Sequence, residues 1–88
     1  MRAALIQCNL TVGALGANVR LLLDRAAEAY AAGARLILFP EMAVCGYPPE
    51  DLILKRHFIA DCEACWPTLA ADMPPAAAVL FGSPRRAP

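Results

Sequence analysis

The stretch Gly33-Ala-Arg-Leu-Ile-Leu-Phe-Pro-Glu41 decides the fold class of this 88-residue chain. Its residues Leu36–Phe39 are all apolar without alternation, which is typical of a strand that is covered on both faces. Pro40 lacks a backbone N–H group and ends the strand. The stretch therefore predicts a buried strand with an acidic residue, Glu41, directly beyond its carboxyl end.

Upstream of this strand the sequence predicts a second buried strand and a helix. Residues Ala3–Asn9 are mostly apolar and predict the strand. Asn18 is predicted to cap a helix whose apolar residues follow the i, i+3, i+4, i+7 spacing from Val19 to Tyr30. Gly33 is expected as its left-handed C-terminal cap. Strand, helix and strand within about 40 residues form a βαβ unit, so the two strands are expected to be parallel.

Downstream of Glu41 the sequence predicts a loop, a broken helix and a third strand. Pro48-Pro49 followed by Glu50-Asp51 resembles a helix start. Pro67 is expected to break the helix near Trp66, because it removes a backbone donor. The apolar stripe of this helix consists of Phe58, Cys62, Cys65, Trp66, Leu69 and Met73. Residues Ala77–Phe81 predict the third strand, and all three strands are expected to be neighbours in one sheet with the first helix on one face.

These elements define an α/β fold with an incomplete sheet. Parallel sheets need helices on both faces, whereas this chain has two predicted helices for three apolar strands. We therefore expect residues 1–88 to be a single partial domain, the front part of a larger one, or a chain whose open face is covered by a partner. An open face and edge predict poor stability and self-association of the chain alone.

Composition argues against several classes of protein. Hydrophobic residues make up 59% of the chain, which argues against disorder. Eight Lys and Arg balance eight Asp and Glu, so no net charge favours nucleic acid or a membrane surface as a partner. The apolar runs are too short for a membrane span or a signal peptide. The four cysteines are therefore expected to be reduced thiols in a cytoplasmic protein.

Glu41 is the strongest candidate for chemistry. In open α/β sheets, ligands bind beyond the carboxyl ends of the strands. Partial desolvation at such a place favours the protonated form of a carboxylate, which suits a general base. The alternative, that Glu41 only accepts hydrogen bonds from neighbouring loop amides, stays open at this point.

The cysteines are weaker candidates. Cys62-Glu-Ala-Cys65 has the spacing of a redox pair or of half a metal site, but both cysteines lie on the apolar stripe of a helix, which favours buried structural thiols. Cys45 could be a nucleophile only with His57, the single histidine. No metal site is expected.

The segments together resemble the carbon–nitrogen hydrolase (nitrilase) superfamily, from Met1 to about Arg85. The matching segments are Ala4-Leu-Ile-Gln-Cys-Asn9, Thr11-Val-Gly13, Asn18 and Gly33-Ala-Arg-Leu-Ile-Leu-Phe-Pro-Glu41. A further segment, Gly46-Tyr-Pro-Pro-Glu-Asp-Leu52, is similar to the glutaminase domain at the N-terminus of one branch, the glutamine-dependent NAD synthetases.

The resemblance implies the front part of a nitrilase-like α-β-β-α sandwich and one member of a Glu-Lys-Cys triad. In that triad the glutamate is the general base, the lysine stabilises the tetrahedral intermediate and the cysteine attacks the amide carbon. Glu41 matches the glutamate, but neither Lys55 nor Cys45 matches the other two, which are expected beyond residue 88. Tyr47 is expected to border the glutamine pocket. The 88-residue chain alone is therefore expected to be inactive.

The resemblance also implies a function for the full-length protein. It is expected to hydrolyse glutamine and to pass ammonia to an ATP-dependent domain that amidates deamido-NAD. ATP and Mg²⁺ are expected only in that other domain, no cofactor is expected in residues 1–88, and the full-length protein is expected to be a homo-oligomer. Two alternatives stay open: another amidase or nitrilase of the superfamily, and a non-catalytic α/β interaction module.

Overall fold

The computed structural model describes residues 1–46 and 56–85. These residues form three strands and three helices, which confirms the α/β class. The elements are β1 Arg2–Leu5, α1 Leu15–Ala31, β2 Ala34–Leu38, α2 Arg56–Ala64, α3 Trp66–Asp72 and β3 Ala78–Leu80. The helix start predicted at Pro48-Pro49 lies outside the described residues. Across the described ranges, no helix has the length and apolar character needed to cross a membrane.

The strands form one parallel sheet in the order β1-β2-β3. Leu38 of β2 lies opposite Leu5 of β1 and Leu80 of β3. Beyond these pairs the ladder continues, because Ile6 N–H donates to Leu38 O at 2.9 Å and Phe39 N–H donates to Leu80 O at 2.9 Å. The predicted adjacent parallel strands are confirmed. The carboxyl ends of all three strands therefore meet at one edge of the sheet.

Helix α1 packs against the sheet but does not begin as the sequence predicts. It begins at Leu15, its N-cap is Ala14, and no side chain caps it. Asn18 is instead a buried residue of the first turn, so the predicted cap is wrong. The physical reason is that the side-chain amide of Asn18 forms hydrogen bonds with backbone groups of Thr11 and Val44, in two loops, rather than with N–H groups of its own helix. At the other end, Gly33 has a φ of 99° and donates its N–H to Tyr30 O at 3.0 Å, so the predicted left-handed cap is confirmed.

The predicted break in the second helical region is confirmed. Helix α2 ends at Ala64, and α3 begins at Trp66 with Pro67 in its first turn. Pro67 is tolerated there because the first turn of a helix leaves N–H groups without intrahelical partners. The apolar stripe forms the buried side of both helices, with Phe58, Cys62 and Leu69 at most 6% exposed.

The two faces of the sheet differ in burial. On one face Ile37 is fully buried against Ala26 of α1, with Ala4 and Val79 packed beside them. On the other face Leu5 is 76% exposed and Leu80 is 56% exposed. The prediction of a buried β1 is therefore wrong, because the helices in the described ranges cover only one face of the sheet. The expected incomplete coverage of the sheet is confirmed.

Candidate functional site

Glu41 lies at the edge of the sheet where the strands end. A cleft of about 220 Å³ opens there between the segment that follows β1 and the segment that follows β2. Its lining residues are Cys8, Asn9 and Leu10 on one wall and Pro40 and Glu41 on the other. The cleft thus occupies the place where ligands bind in open α/β sheets.

The Glu41 carboxylate is exposed and open to approach from the cleft. Within residues 1–46 and 56–85 the carboxylate forms no hydrogen bond or ion pair. These residues therefore give no support to the alternative that Glu41 only accepts hydrogen bonds from neighbouring loop amides. The expected partial desolvation of the carboxylate is likewise not found among the described residues, because Glu41 is exposed. An exposed carboxylate of this kind can accept a proton from a group that enters the cleft.

The backbone directly after Glu41 is strained. Met42 has a φ of 55°, a left-handed conformation that no other non-glycine residue adopts in the described part of the chain. Such a residue costs about 1–3 kcal/mol and persists where the surroundings hold it. The turn is closed locally, because Gly46 N–H donates to Met42 O at 2.8 Å. We call residues 41–46 the Glu41 loop.

Three neighbouring segments hold the Glu41 loop. Behind β1, Gly13 N–H donates to Cys45 O at 2.8 Å. From α1, Asn18 Nδ2 donates to Val44 O at 2.9 Å. From the end of β3, Gly82 O accepts a hydrogen bond from Val44 N–H at 3.3 Å. These contacts explain how a strained turn can be kept in a single conformation.

Two glycines allow the loop to approach its neighbours closely. A Cβ atom at Gly82 would lie 2.6 Å from Met42 N and 3.1 Å from Glu41 Cα. Gly46 has a φ of 83°, and a Cβ atom there would lie 2.8 Å from Val12 N. Larger residues at either position would push the loop that bears Glu41 away from its supports.

The loop is also part of the core. Ala43, Val44 and Cys45 are fully buried and pack with residues of α1, α2 and α3. Packing of these residues in the core restrains the loop, so the backbone that carries the exposed Glu41 is held in place.

The thiols next to the loop are not nucleophiles of this site. Cys45 is fully buried and donates from Sγ to Gly46 O at 3.2 Å. Burial raises the pKa of Cys45. Burial also raises the pKa of Cys62, the hydrogen-bond partner of Cys45, to about 12. His57 lies exposed on α2. The interpretation of Cys62 as a buried structural thiol is supported, and the Cys45–His57 pair is not, because a thiolate is disfavoured at such a place.

Cys8 is the thiol nearest to the candidate site, since it lines the cleft with Glu41. Burial raises its pKa too, which keeps it in the thiol form. In the described ranges, no group of three or more His, Cys, Asp and Glu side chains is arranged to hold a metal ion. Tyr47 and Lys55 lie outside the described residues, and Tyr47 stays a prediction.

Sequence reasoning did not predict the roles of two residues that shape the site, Asn18 and Gly82. Asn18 precedes Leu22 by four positions, so it lies on the buried face of α1 although it is polar. That spacing was a usable signal for a buried polar group that needs partners. Gly82 directly follows residues 77–81, which predict the third strand, and its contact with Met42 depends on tertiary structure.

The fold agrees with the comparisons with known proteins. The sequence profile of the family Carbon-nitrogen hydrolase matches residues 2–81. The chain belongs to the carbon–nitrogen hydrolase family.

Within that family the chain is similar to glutamine-dependent NAD(+) synthetases. It is 45% identical over 80 residues to the enzyme of Synechocystis sp. and 41% identical over 83 residues to the enzyme of Rhodobacter capsulatus. These alignments cover 91% and 94% of the chain but only 14% and 15% of the relatives. The chain thus spans about one seventh of the length of these curated relatives.

Solved structures confirm the nitrilase-like fold. The glutamine-dependent NAD(+) synthetase of Cytophaga hutchinsonii matches with a TM-score of 0.83 and 29% identity over 90% of this chain and 13% of its own. That of Acinetobacter baumannii, in complex with adenosine diphosphate, matches with a TM-score of 0.86 and 27% identity over 97% and 16%. An amidase from Nesterenkonia sp. matches with a TM-score of 0.77 and 28% identity over 96% and 32%.

Proposed function

We propose that residues 1–88 form the front part of the glutamine-hydrolysing domain of a glutamine-dependent NAD synthetase, with Glu41 as its general base. The observation that supports this most is the exposed Glu41 carboxylate in a cleft at the carboxyl edge of a parallel sheet, on a strained loop with three separate supports. The 45% identity to a relative with that name favours this branch of the family.

In the proposed reaction, Glu41 takes the proton from the thiol of a cysteine that lies outside residues 1–88. The thiolate attacks the side-chain amide carbon of glutamine, and a lysine, also outside this chain, stabilises the negative oxygen of the tetrahedral intermediate. Glu41 returns its proton to the departing nitrogen as the C–N bond breaks, which releases ammonia and leaves a thioester. Glu41 then takes a proton from water, whose oxygen attacks the thioester, and glutamate leaves as the thiol is restored.

The proposal extends to the rest of the synthetase. Tyr47 borders the glutamine pocket, and the ammonia is used in an ATP- and Mg²⁺-dependent amidation of deamido-NAD by another domain. The 88-residue chain alone is inactive, since it lacks two members of the triad. The full-length protein is a cytoplasmic homo-oligomer that binds glutamine and has neither nucleic acid nor a membrane as its partner.

The test is glutamate release by the protein at its natural length, for wild type and Glu41→Gln. Glutamine in place of glutamate keeps the size of the side chain but cannot accept the thiol proton. The rate of hydrolysis should fall by roughly 10²–10⁴, the contribution of a general base. The binding of glutamine should change much less. An unchanged rate would show that Glu41 is not the base.

A second candidate function is the hydrolysis of another amide. The match to the Nesterenkonia amidase covers nearly the whole chain and favours no particular amide. A panel of short aliphatic amides beside glutamine separates the two candidates. Hydrolysis of an aliphatic amide but not of glutamine would identify an amidase, and a wild-type protein that hydrolyses neither would support the interaction module.

A further inference from the structure

Asn18 stands out because it is the one buried polar residue in the described ranges. It is 2% exposed, and its amide is fully engaged. Oδ1 accepts a hydrogen bond from Thr11 N–H at 2.9 Å, and Nδ2 donates to Thr11 O and to Val44 O, both at 2.9 Å. Burial of an amide costs little free energy only when its polar groups are hydrogen-bonded, and both N–H groups of Asn18 have acceptors here.

The partners of Asn18 lie directly behind the two walls of the cleft. Thr11 follows the wall formed by residues 8–10, and Val44 belongs to the Glu41 loop. One side chain therefore joins the two segments that line the cleft. The adjacent hydrogen bond from Gly13 N–H to Cys45 O runs between the same two segments, so Asn18 fixes their separation at a place where the backbones already meet.

We infer that Asn18 is a positioning residue. It holds the Glu41 carboxylate at the distance that catalysis requires from the opposite wall of the cleft, which residues 8–10 form. The inference rests on the proposed function. Asn18 is buried and does not line the cleft, so it acts through the loop and not on the substrate. The strained Met42 lies between Glu41 and the Val44 contact, so a turn released at Val44 can relax and carry Glu41 with it.

The test compares Asn18→Ala with a control on the same helix, in the protein at its natural length. Asn18→Ala removes both connections and should lower kcat for glutamine hydrolysis by about 10²-fold, since a displacement of about 1 Å at a reacting group has that effect. KM should change much less. The control is Ala26→Gly, because Ala26 is fully buried two turns further along α1 and packs against the sheet, away from the loop. It should lower the Tm but leave kcat near that of wild type.

Two further variants separate positioning from stability. Asn18→Asp keeps an acceptor for Thr11 N–H but loses both donors, so it should resemble Asn18→Ala. In a Glu41→Gln background, Asn18→Ala should cause little further loss of kcat, because the residue through which Asn18 acts has already been disabled.

The outcomes are distinct. If Glu41→Gln is impaired while Asn18→Ala and Ala26→Gly lose kcat only in proportion to their losses in Tm, Asn18 is a structural residue and the inference is overturned. Full activity of Asn18→Asp, or an undiminished effect of Asn18→Ala in the Glu41→Gln background, also overturns it. If Glu41→Gln itself has wild-type activity, the proposed function fails together with the positioning of its base.

Discussion

Substitution of Gly82 by alanine tests how closely the end of β3 supports the Glu41 loop. The added methyl group would lie 2.6 Å from Met42 N and 3.2 Å from Glu41 C. Ordinary contacts of a Cβ atom begin at 3.4 Å, so the closest pair has to separate by 0.8 Å, the difference between 3.4 and 2.6 Å. The atoms that obstruct the methyl group belong to the backbone, so no side-chain rotation can relieve the contact.

The expected effect of Gly82→Ala on stability is a net loss. Overpacking of this kind costs typically about 1–3 kcal/mol. A Gly→Ala change also restricts the unfolded chain, which stabilises a protein by about 0.4–1 kcal/mol where the backbone tolerates alanine. The free energy of unfolding should therefore fall by about 1–2 kcal/mol. A shift of the Glu41 backbone by most of an ångström should also lower the rate of glutamine hydrolysis by about 10²-fold.

Gly16→Ala is the matched control for this experiment. Gly16 lies in α1, and among the residues that the structure describes a Cβ atom there would meet only Arg20 Nη1, at 3.8 Å. Alanine should stabilise the protein there by about 0.4–1 kcal/mol, because it restricts the unfolded chain without a steric conflict in the fold. Thermal unfolding and glutamine hydrolysis are measured for both variants at the natural length of the protein. A Gly82→Ala protein with the Tm and the rate of wild type would refute the reasoning.

The remaining predictions concern the thiols and the open face. Because the pKa of Cys62 is raised to about 12 in the fold, against 9.0 in the unfolded chain, the free energy of unfolding should fall as the pH rises from about 9 to about 12. Chemical denaturation should show that Cys62→Ala reduces this fall, and an identical pH profile in the variant would contradict the assignment. On the open face, Leu5→Thr with Leu80→Thr should reduce the self-association of the 88-residue chain, measured by light scattering, and an unchanged apparent mass would contradict this.

Local patterns were sufficient to predict the elements of the fold. The apolar run at residues 36–39 predicted β2, the spacing from Val19 to Tyr30 predicted α1, and Pro67 predicted the break between α2 and α3. Each prediction depends on the period of apolar residues or on the backbone of one residue type. The parallel pairing followed from the right-handed βαβ rule, which depends only on the order of the elements.

The features that the sequence did not predict depend on tertiary contacts. Asn18 has the residue type of an N-cap, but its neighbours in space, Thr11 and Val44, make a better set of partners than its own helix. A left-handed residue is usually glycine or asparagine, so nothing in the sequence marked Met42. The prediction of a buried β1 failed because burial depends on what covers a strand, and among the described residues Leu5 is left 76% exposed.

The measurement that tests the central claim most directly is product formation from glutamine and from an ammonium salt, side by side, in wild type and Glu41→Gln. If Glu41 is the base that releases ammonia for a separate ATP-dependent step, the variant should lose synthesis from glutamine by roughly 10²–10⁴ and keep synthesis from ammonium. Equal activity of the variant with both nitrogen sources, at the level of wild type, would contradict the account.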